Sequence, residues 1–98
     1  MDFVVFIDNR AILDIQEAIN FYDNQQPGLG KRFESVLNEH MIILMKNPLF
    51  RKRYDNVRCF PLKKFPYMIH FTVNEKEKIV IIRAVFHTSK NPNTWKRN

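Results

Sequence analysis

The strongest constraint on how this chain can fold lies near its C-terminal end, in the run Lys78-Ile79-Val80-Ile81-Ile82-Arg83-Ala84-Val85-Phe86-His87-Thr88. β-Branched and aromatic residues dominate it, so residues 78–88 read as a strand. Alternate residues of a strand share a face. Val80, Ile82, Ala84 and Phe86 then make a wholly apolar face that must be buried. Ile79, Ile81, Arg83, Val85 and His87 make the other face. A guanidinium and a titratable imidazole on one rigid surface suit phosphate binding or acid–base chemistry.

Such a strand needs neighbours. Residues 67–73 alternate in character, and the polar stretch Asn74-Glu75-Lys76-Glu77 separates them from the last strand, which predicts an antiparallel hairpin. Residues 56–62 supply a further strand, linked through Lys63-Lys64-Phe65-Pro66. At the other end, Phe3-Val4-Val5-Phe6-Ile7 is a short strand. Asp8 or Asn9 can cap the helix that follows, whose stripe is Ile12, Ile15, Ile19 and Tyr22 and which ends near Asn24. Proline and glycine make residues 25–30 a turn. A second helix covers 31–46, with Phe33, Val36, Leu37, His40, Met41, Leu44 and Met45 on one side. Asn47-Pro48 ends it, because a residue before proline is pushed out of the helical region. Residues 91–95 form a terminal turn or a single helical turn.

The predicted order is β-α-α-β-β-β. It describes an α+β fold in one domain spanning 1–98, with a helical hairpin packed on one face of a mostly antiparallel sheet. Nothing remains to cover the opposite face, which should therefore be bare and show Arg58, His70, Thr72, Arg83 and His87.

The formal net charge is +6. Basic residues crowd into 46–64 and 83–97, the latter including Lys96 and Arg97, while the first helix is acidic. Segregation of this kind points to an anionic partner. Arg58, Lys63, Lys64 and Lys90 are the candidates for nucleic-acid phosphates, and Arg83 and His87 for catalysis. Each has a plainer reading. Arg83 can pair with Glu75 or Glu77 across the hairpin, His87 can bond a backbone carbonyl, and Lys63 and Lys64 can guard an edge strand. His40 reads as a core-edge histidine, and the single cysteine, Cys59, as a small buried hydrophobe. No zinc, P-loop or dinucleotide pattern is present, so neither metal nor cofactor is expected. The apolar runs are too short for a bilayer and the start lacks signal-peptide character, so a cytoplasmic protein is expected.

Several stretches together carry a resemblance. They are Asp14-Ile15-Gln16-Glu17-Ala18-Ile19-Asn20-Phe21-Tyr22, Pro27-Gly28-Leu29-Gly30-Lys31-Arg32-Phe33, Asn47-Pro48, Val57-Arg58, Phe65-Pro66-Tyr67, and Ala84-Val85-Phe86-His87-Thr88 with Asn91-Pro92 and Trp95. In this order and spacing the chain resembles the RelE/ParE superfamily of toxins from type II toxin–antitoxin (plasmid stabilisation) modules. The resemblance implies an acidic antitoxin partner in a toxin–antitoxin hetero-oligomer. It implies one of two targets, ribosome-bound mRNA or DNA gyrase, or else a non-toxic binding module of the same fold. An enzyme of this kind would be a metal-independent endoribonuclease (an mRNA interferase). Arg83 would hold the scissile phosphate, and His87 would act as acid or base. Arg58, Lys63 and Lys64 would bind flanking phosphates, and Tyr67 or Trp95 would stack on a base.

Overall fold

The architecture comes from a computed structural model that describes residues 2–96. Arg97, part of the C-terminal basic cluster, lies outside the described residues. The elements are β1 (Val4–Ile7), α1 (Asn9–Gln25), α2 (Leu29–Lys46), β2 (Lys52–Tyr54), β3 (Val57–Pro61), β4 (Tyr67–Asn74), β5 (Ile79–His87) and a 3-10 turn (Pro92–Thr94). The sheet runs β1-β5-β4-β3-β2. β1 lies parallel to β5, and the other neighbours are antiparallel. The helical hairpin covers one face, as an α+β reading requires.

The short strand β2 was not expected. Lys52-Arg53-Tyr54 offers no apolar alternation, and its two cations are exposed. Charged side chains on an outermost strand discourage edge-to-edge pairing with another sheet. The same charges hide the strand from a reading based on hydrophobic pattern.

The Asp8 carboxylate caps α1 by accepting the Arg10 amide. Ala11, Ala18 and Tyr22 are buried, with Ile15 and Ile19 partly so. The expected stripe is thus turned by one residue, and Ile12 is 48 % exposed. Small alanines on the inner face let the helix approach the sheet closely, and position 12 then points sideways. Along α2, Phe33, Leu37, His40 and Leu44 are buried as expected. His40 has a defined tautomer. The Lys63 amide donates to its Nε2 at 3.2 Å, so Nδ1 carries the proton and donates to the Val36 carbonyl at 2.7 Å.

The decisive feature of the sheet is a β-bulge. His70 of β4 pairs with Ala84, whereas Phe71 pairs with Ile82, which leaves Arg83 as the extra residue on β5. A bulge interrupts the strict alternation of faces. Val80 and Ile82 face the helices, and so does Val85 beyond the bulge. Ala84 and Phe86 enter a separate cluster on the other side, with Cys59, Met68 and Trp95 and with Tyr54 packed against it. The expected apolar face of Val80, Ile82, Ala84 and Phe86 is therefore split between the two sides of the sheet.

At Gly30 the two helices approach closely. Its amide donates to Asp23 Oδ1 at 2.8 Å, and a Cβ there would sit 2.5 Å from the Ile19 carbonyl oxygen and 2.8 Å from Asp23 Oδ1. Gly30→Ala should destabilise the protein by about 1–3 kcal/mol, although alanine is the better helix former. Urea unfolding of both proteins checks this, and an unchanged or raised midpoint would contradict the close helix crossing.

Candidate functional site

The sheet face opposite the helices is not bare. After β5 the chain turns back, and Trp95 lies 8 % exposed in a second small core with Cys59, Met68, Ala84 and Phe86. His70 lies beneath it with no exposed surface. Its ring sits 4.9 Å from that of Trp95 and 5.0 Å from that of Phe86. His70 Nδ1 shares a 2.9 Å hydrogen bond with the Tyr54 hydroxyl and lies 3.5 Å from Cys59 Sγ. This histidine is part of the packing and does not face solvent as expected. Burial pushes the Cys59 thiol up to about 11, against a small opposing pull from Arg53.

On this face a hollow of about 420 Å³ has Arg10, Tyr54, Thr72, Arg83, Trp95 and Lys96 around it. The Arg83 side chain is oriented from two sides. Its Nε donates to Thr72 Oγ1 at 3.1 Å, and its Nη1 lies 3.6 Å from Asp8 Oδ2. Neither Glu75 nor Glu77 supplies that ion pair. The partner comes instead from the cap of α1, because β1 runs beside β5 and ends opposite Ile82, next to Arg83. The Asp8 carboxyl is held below the usual carboxylate range, chiefly by the Arg10 amide and further by the Arg10 and Arg83 guanidiniums, with burial opposing. A second hollow of about 470 Å³ adjoins the first across Tyr54 and Trp95. Arg53 closes it with its guanidinium 5.6 Å above the Trp95 ring, a cation–π arrangement, and Lys96 is 3.5 Å from Asp55. Together the two hollows form a groove with cations along its rim and an aromatic wall in the middle.

His87 is elsewhere. It is exposed and belongs to a cleft beside α1 with Asp14, Glu17, Phe21, Tyr67 and Lys90. Its ring meets that of Tyr67 at 5.2 Å. The Ser89 amide donates to His87 Nδ1 at 3.0 Å, and the Ser89 hydroxyl lies 2.7 Å from the same nitrogen. The bulge places Arg83 and His87 in different clefts, contrary to the shared face expected from simple alternation. Asp14 fills the gap that β1 leaves when it ends, accepting the Val85 amide at 3.0 Å. Burial raises the Tyr67 hydroxyl above its ordinary value, helped by Tyr22 and Glu17.

The cations expected to contact nucleic acid are dispersed. Arg58 is 8 % exposed, and its Nη1 donates to the Phe50 carbonyl at 2.9 Å. It pairs with Phe71, which faces the helices, so it braces the loop after α2 instead of lining the open face. Lys63 and Lys64 are exposed in the turn between β3 and β4. Lys90 is exposed beside His87, with its Nζ 4.9 Å over the Phe86 ring. Arg10, Arg53 and Lys96 were not singled out as site residues. The signal for Arg53 was the Arg51-Lys52-Arg53-Tyr54 run. Arg10 carried none, because it belongs to an acidic helix and reaches the groove only by fold.

This arrangement of hairpin, mixed sheet and C-terminal return is that of the toxin subunits of toxin–antitoxin systems. The chain overlays the chromosomal ParDE system of P. aeruginosa with a TM-score of 0.76 at 16 % identity, covering 89 % of this chain and 97 % of that one. The isolated RelE toxin of E. coli gives 0.68 at 14 % identity, with 93 % and 89 % covered. The E. coli RelBE toxin–antitoxin complex gives 0.67 at 14 % identity, with 91 % and 99 % covered. No curated protein sequence matches. The profile of ParE toxins of type II toxin–antitoxin systems (parDE) matches residues 5–92, and the chain belongs to that family. No helix among the described residues is long and apolar enough to cross a membrane.

The second core makes a pH-dependent prediction. A thiol raised from 9.0 to about 11 in the folded state ionises first in the unfolded chain. Its contribution is intact below about pH 9 and is lost as the pH rises towards 11. The melting temperature of the wild type should therefore fall over that window. The fall should be smaller in Cys59→Ala, compared from each protein's own value at pH 7. An identical alkaline decline in both proteins would contradict a buried Cys59.

Proposed function

We propose that this ParE-family toxin arrests growth by binding DNA gyrase, without itself cutting RNA. The observation that carries the reading is the separation of Arg83 from His87. Metal-independent RNA cleavage needs a base, an acid and cations around one phosphate. The groove holding Arg83 offers cations and aromatic rings, while the imidazole lies in another cleft with its Nδ1 engaged by Ser89. A rigid cationic groove with a tryptophan wall is a binding surface, and Arg and Trp are the residue types that anchor protein interfaces. Family membership supports the gyrase target.

The groove also supports a ribonuclease reading, because Arg53 and Arg83 on its rim suit the phosphates of an RNA strand. An acidic antitoxin is the proposed partner. The similar RelBE structure is itself a toxin–antitoxin complex, and the chain exposes apolar side chains at Val4, Phe6, Ile42 and Ile43 that a partner could cover. A non-toxic module of the same fold would leave host growth normal when expressed without an antitoxin.

Two assays separate these readings. Added to gyrase and plasmid, the toxin should block supercoiling and accumulate cleaved gyrase–DNA complexes, while RNA ends in a translating extract stay unchanged. New mRNA ends with intact supercoiling would reverse the assignment. Arg83→Ala, folded by circular dichroism, should weaken gyrase inhibition at least about tenfold, equivalent to 1.4 kcal/mol. His87→Gln should stay within about twofold of wild type. Equal losses in the two variants would tie His87 to the same function.

A further inference from the structure

A further hollow, of about 340 Å³, opens on the helical side between the start of α2 and the turn joining β3 to β4. Lys31, Arg32 and Lys64 line it with the Ser35 hydroxyl. All four of these residues are exposed. Among the described residues, the ion pairs involve Arg10, Lys46, Arg83 and Lys96, and none of the three cations here. The turn fixes Lys64 in the left-handed region, at φ 69°. It is closed by the Leu62 amide donating to the Tyr67 carbonyl at 2.9 Å. Two segments far apart in sequence thus bring three uncompensated cations to one concavity. Asp23 of α1 is occupied at the Gly30 amide, and Glu34, three residues on from Lys31, is in none of these ion pairs.

Two features narrow the ligand. A protein-docking patch needs apolar anchors, yet the large exposed apolar side chains lie at Val4, Phe6, Ile12, Leu13, Phe21, Ile42, Ile43 and Leu49, none of them lining this hollow. A single-stranded nucleic acid needs exposed rings on which bases stack. The only ring at the hollow is Phe65, which packs against Tyr22 at 5.0 Å and Phe33 at 5.3 Å. What remains suits phosphates held at fixed spacing, read by charge without base contacts.

We propose that Lys31, Arg32 and Lys64 contact the phosphate backbone of duplex DNA. This rests on the gyrase reading above, and it means that a toxin seated on gyrase also touches the DNA the enzyme holds. The contact is predicted to be weak, independent of sequence and steeply dependent on salt.

The test uses the full chain and a fluorescein-labelled 24-base-pair duplex, with anisotropy measured from 50 to 200 mM salt and no gyrase present. The wild type should bind with affinity that falls linearly with the logarithm of salt. K31A/R32A/K64A should lose at least about tenfold affinity at 50 mM, and its salt slope should drop by about 2 to 3, from roughly 0.9 per phosphate lost. R51A/K52A/K76A, which removes the same charge from exposed positions in and beside β2 and in the β4–β5 turn, should keep most of both. Equal losses in the two triple variants would mean a diffuse charge effect and would overturn the site. So would a wild type that prefers a single strand of the same length, or that binds poly-glutamate in place of DNA. Circular dichroism and thermal melts show whether each variant is folded, and the single variants K31A, R32A and K64A carry the test if the triple is not. A supercoiling assay with wild-type toxin reports on the gyrase reading separately. Intact supercoiling removes that reading whatever the oligonucleotide shows, and absent duplex binding removes this one whatever the gyrase assay shows.

Discussion

The arrangement of the whole functional face follows from one extra residue in β5. Because Arg83 is bulged, Val85 stays with the helix-side core while Ala84 and Phe86 turn to the other side. Two carboxylates from the neighbouring α1 region flank the bulge. Asp8 approaches the Arg83 guanidinium, and Asp14 takes the Val85 amide that β1 is too short to reach. Without Asp14, that amide would lose the strong acceptor it has beyond the end of β1, and an unpaired buried amide costs roughly 1–3 kcal/mol. A helix side chain here completes the hydrogen bonding of a strand, and so fixes how α1 crosses β5.

With Ala84 and Phe86 turned outward, the open face acquires apolar surface that must itself be covered. The chain does this with its own C-terminal return. Trp95 lies over His70, and Tyr54 from the cationic edge strand closes the other side. The result is a second core only a few residues across. It buries an imidazole completely, with its Nδ1 hydrogen-bonded to the Tyr54 hydroxyl. The groove exists because this small core is smaller than the sheet face, leaving Arg83 and Thr72 uncovered on one side of the Trp95 wall.

The helical hairpin was legible from its helical spacing, and the strands β1, β3, β4 and β5 from β-forming runs bounded by turn residues. Val80 and Ile82 point inward as alternation requires, and Phe33, Leu37, His40 and Leu44 recur at helical spacing. Arg83 and His87 were misplaced for a physical reason. A bulge depends on how β5 registers against β4, and His70-Phe71 contains no glycine or other local mark of it. Arg58 looked like surface charge because its long stem and single bond to the Phe50 carbonyl are tertiary facts. The covering of the open face was equally hidden. A lone tryptophan after Asn91-Pro92 does not announce that the chain turns back over the sheet.

The pairing of Arg83 with Asp8 also shows why charge on this surface is better understood as positioning than as stability. The Arg83 side chain is 43 % exposed and that of Asp8 20 %, at a separation of 3.6 Å. Partly exposed pairs of this kind contribute about 0–1 kcal/mol and are screened by salt. That is small beside the burial of Phe33, Phe71 or Ile82, each worth about 1.5–3 kcal/mol. The fold would survive loss of the pair. What would change is the direction of the guanidinium, which Thr72 and Asp8 hold across the mouth of the groove at the cost of little stability. Arg10 shares the same carboxylate, so Asp8 orients two cations at once while also capping α1. A single acidic residue thus couples the start of the first helix to the shape of the binding face.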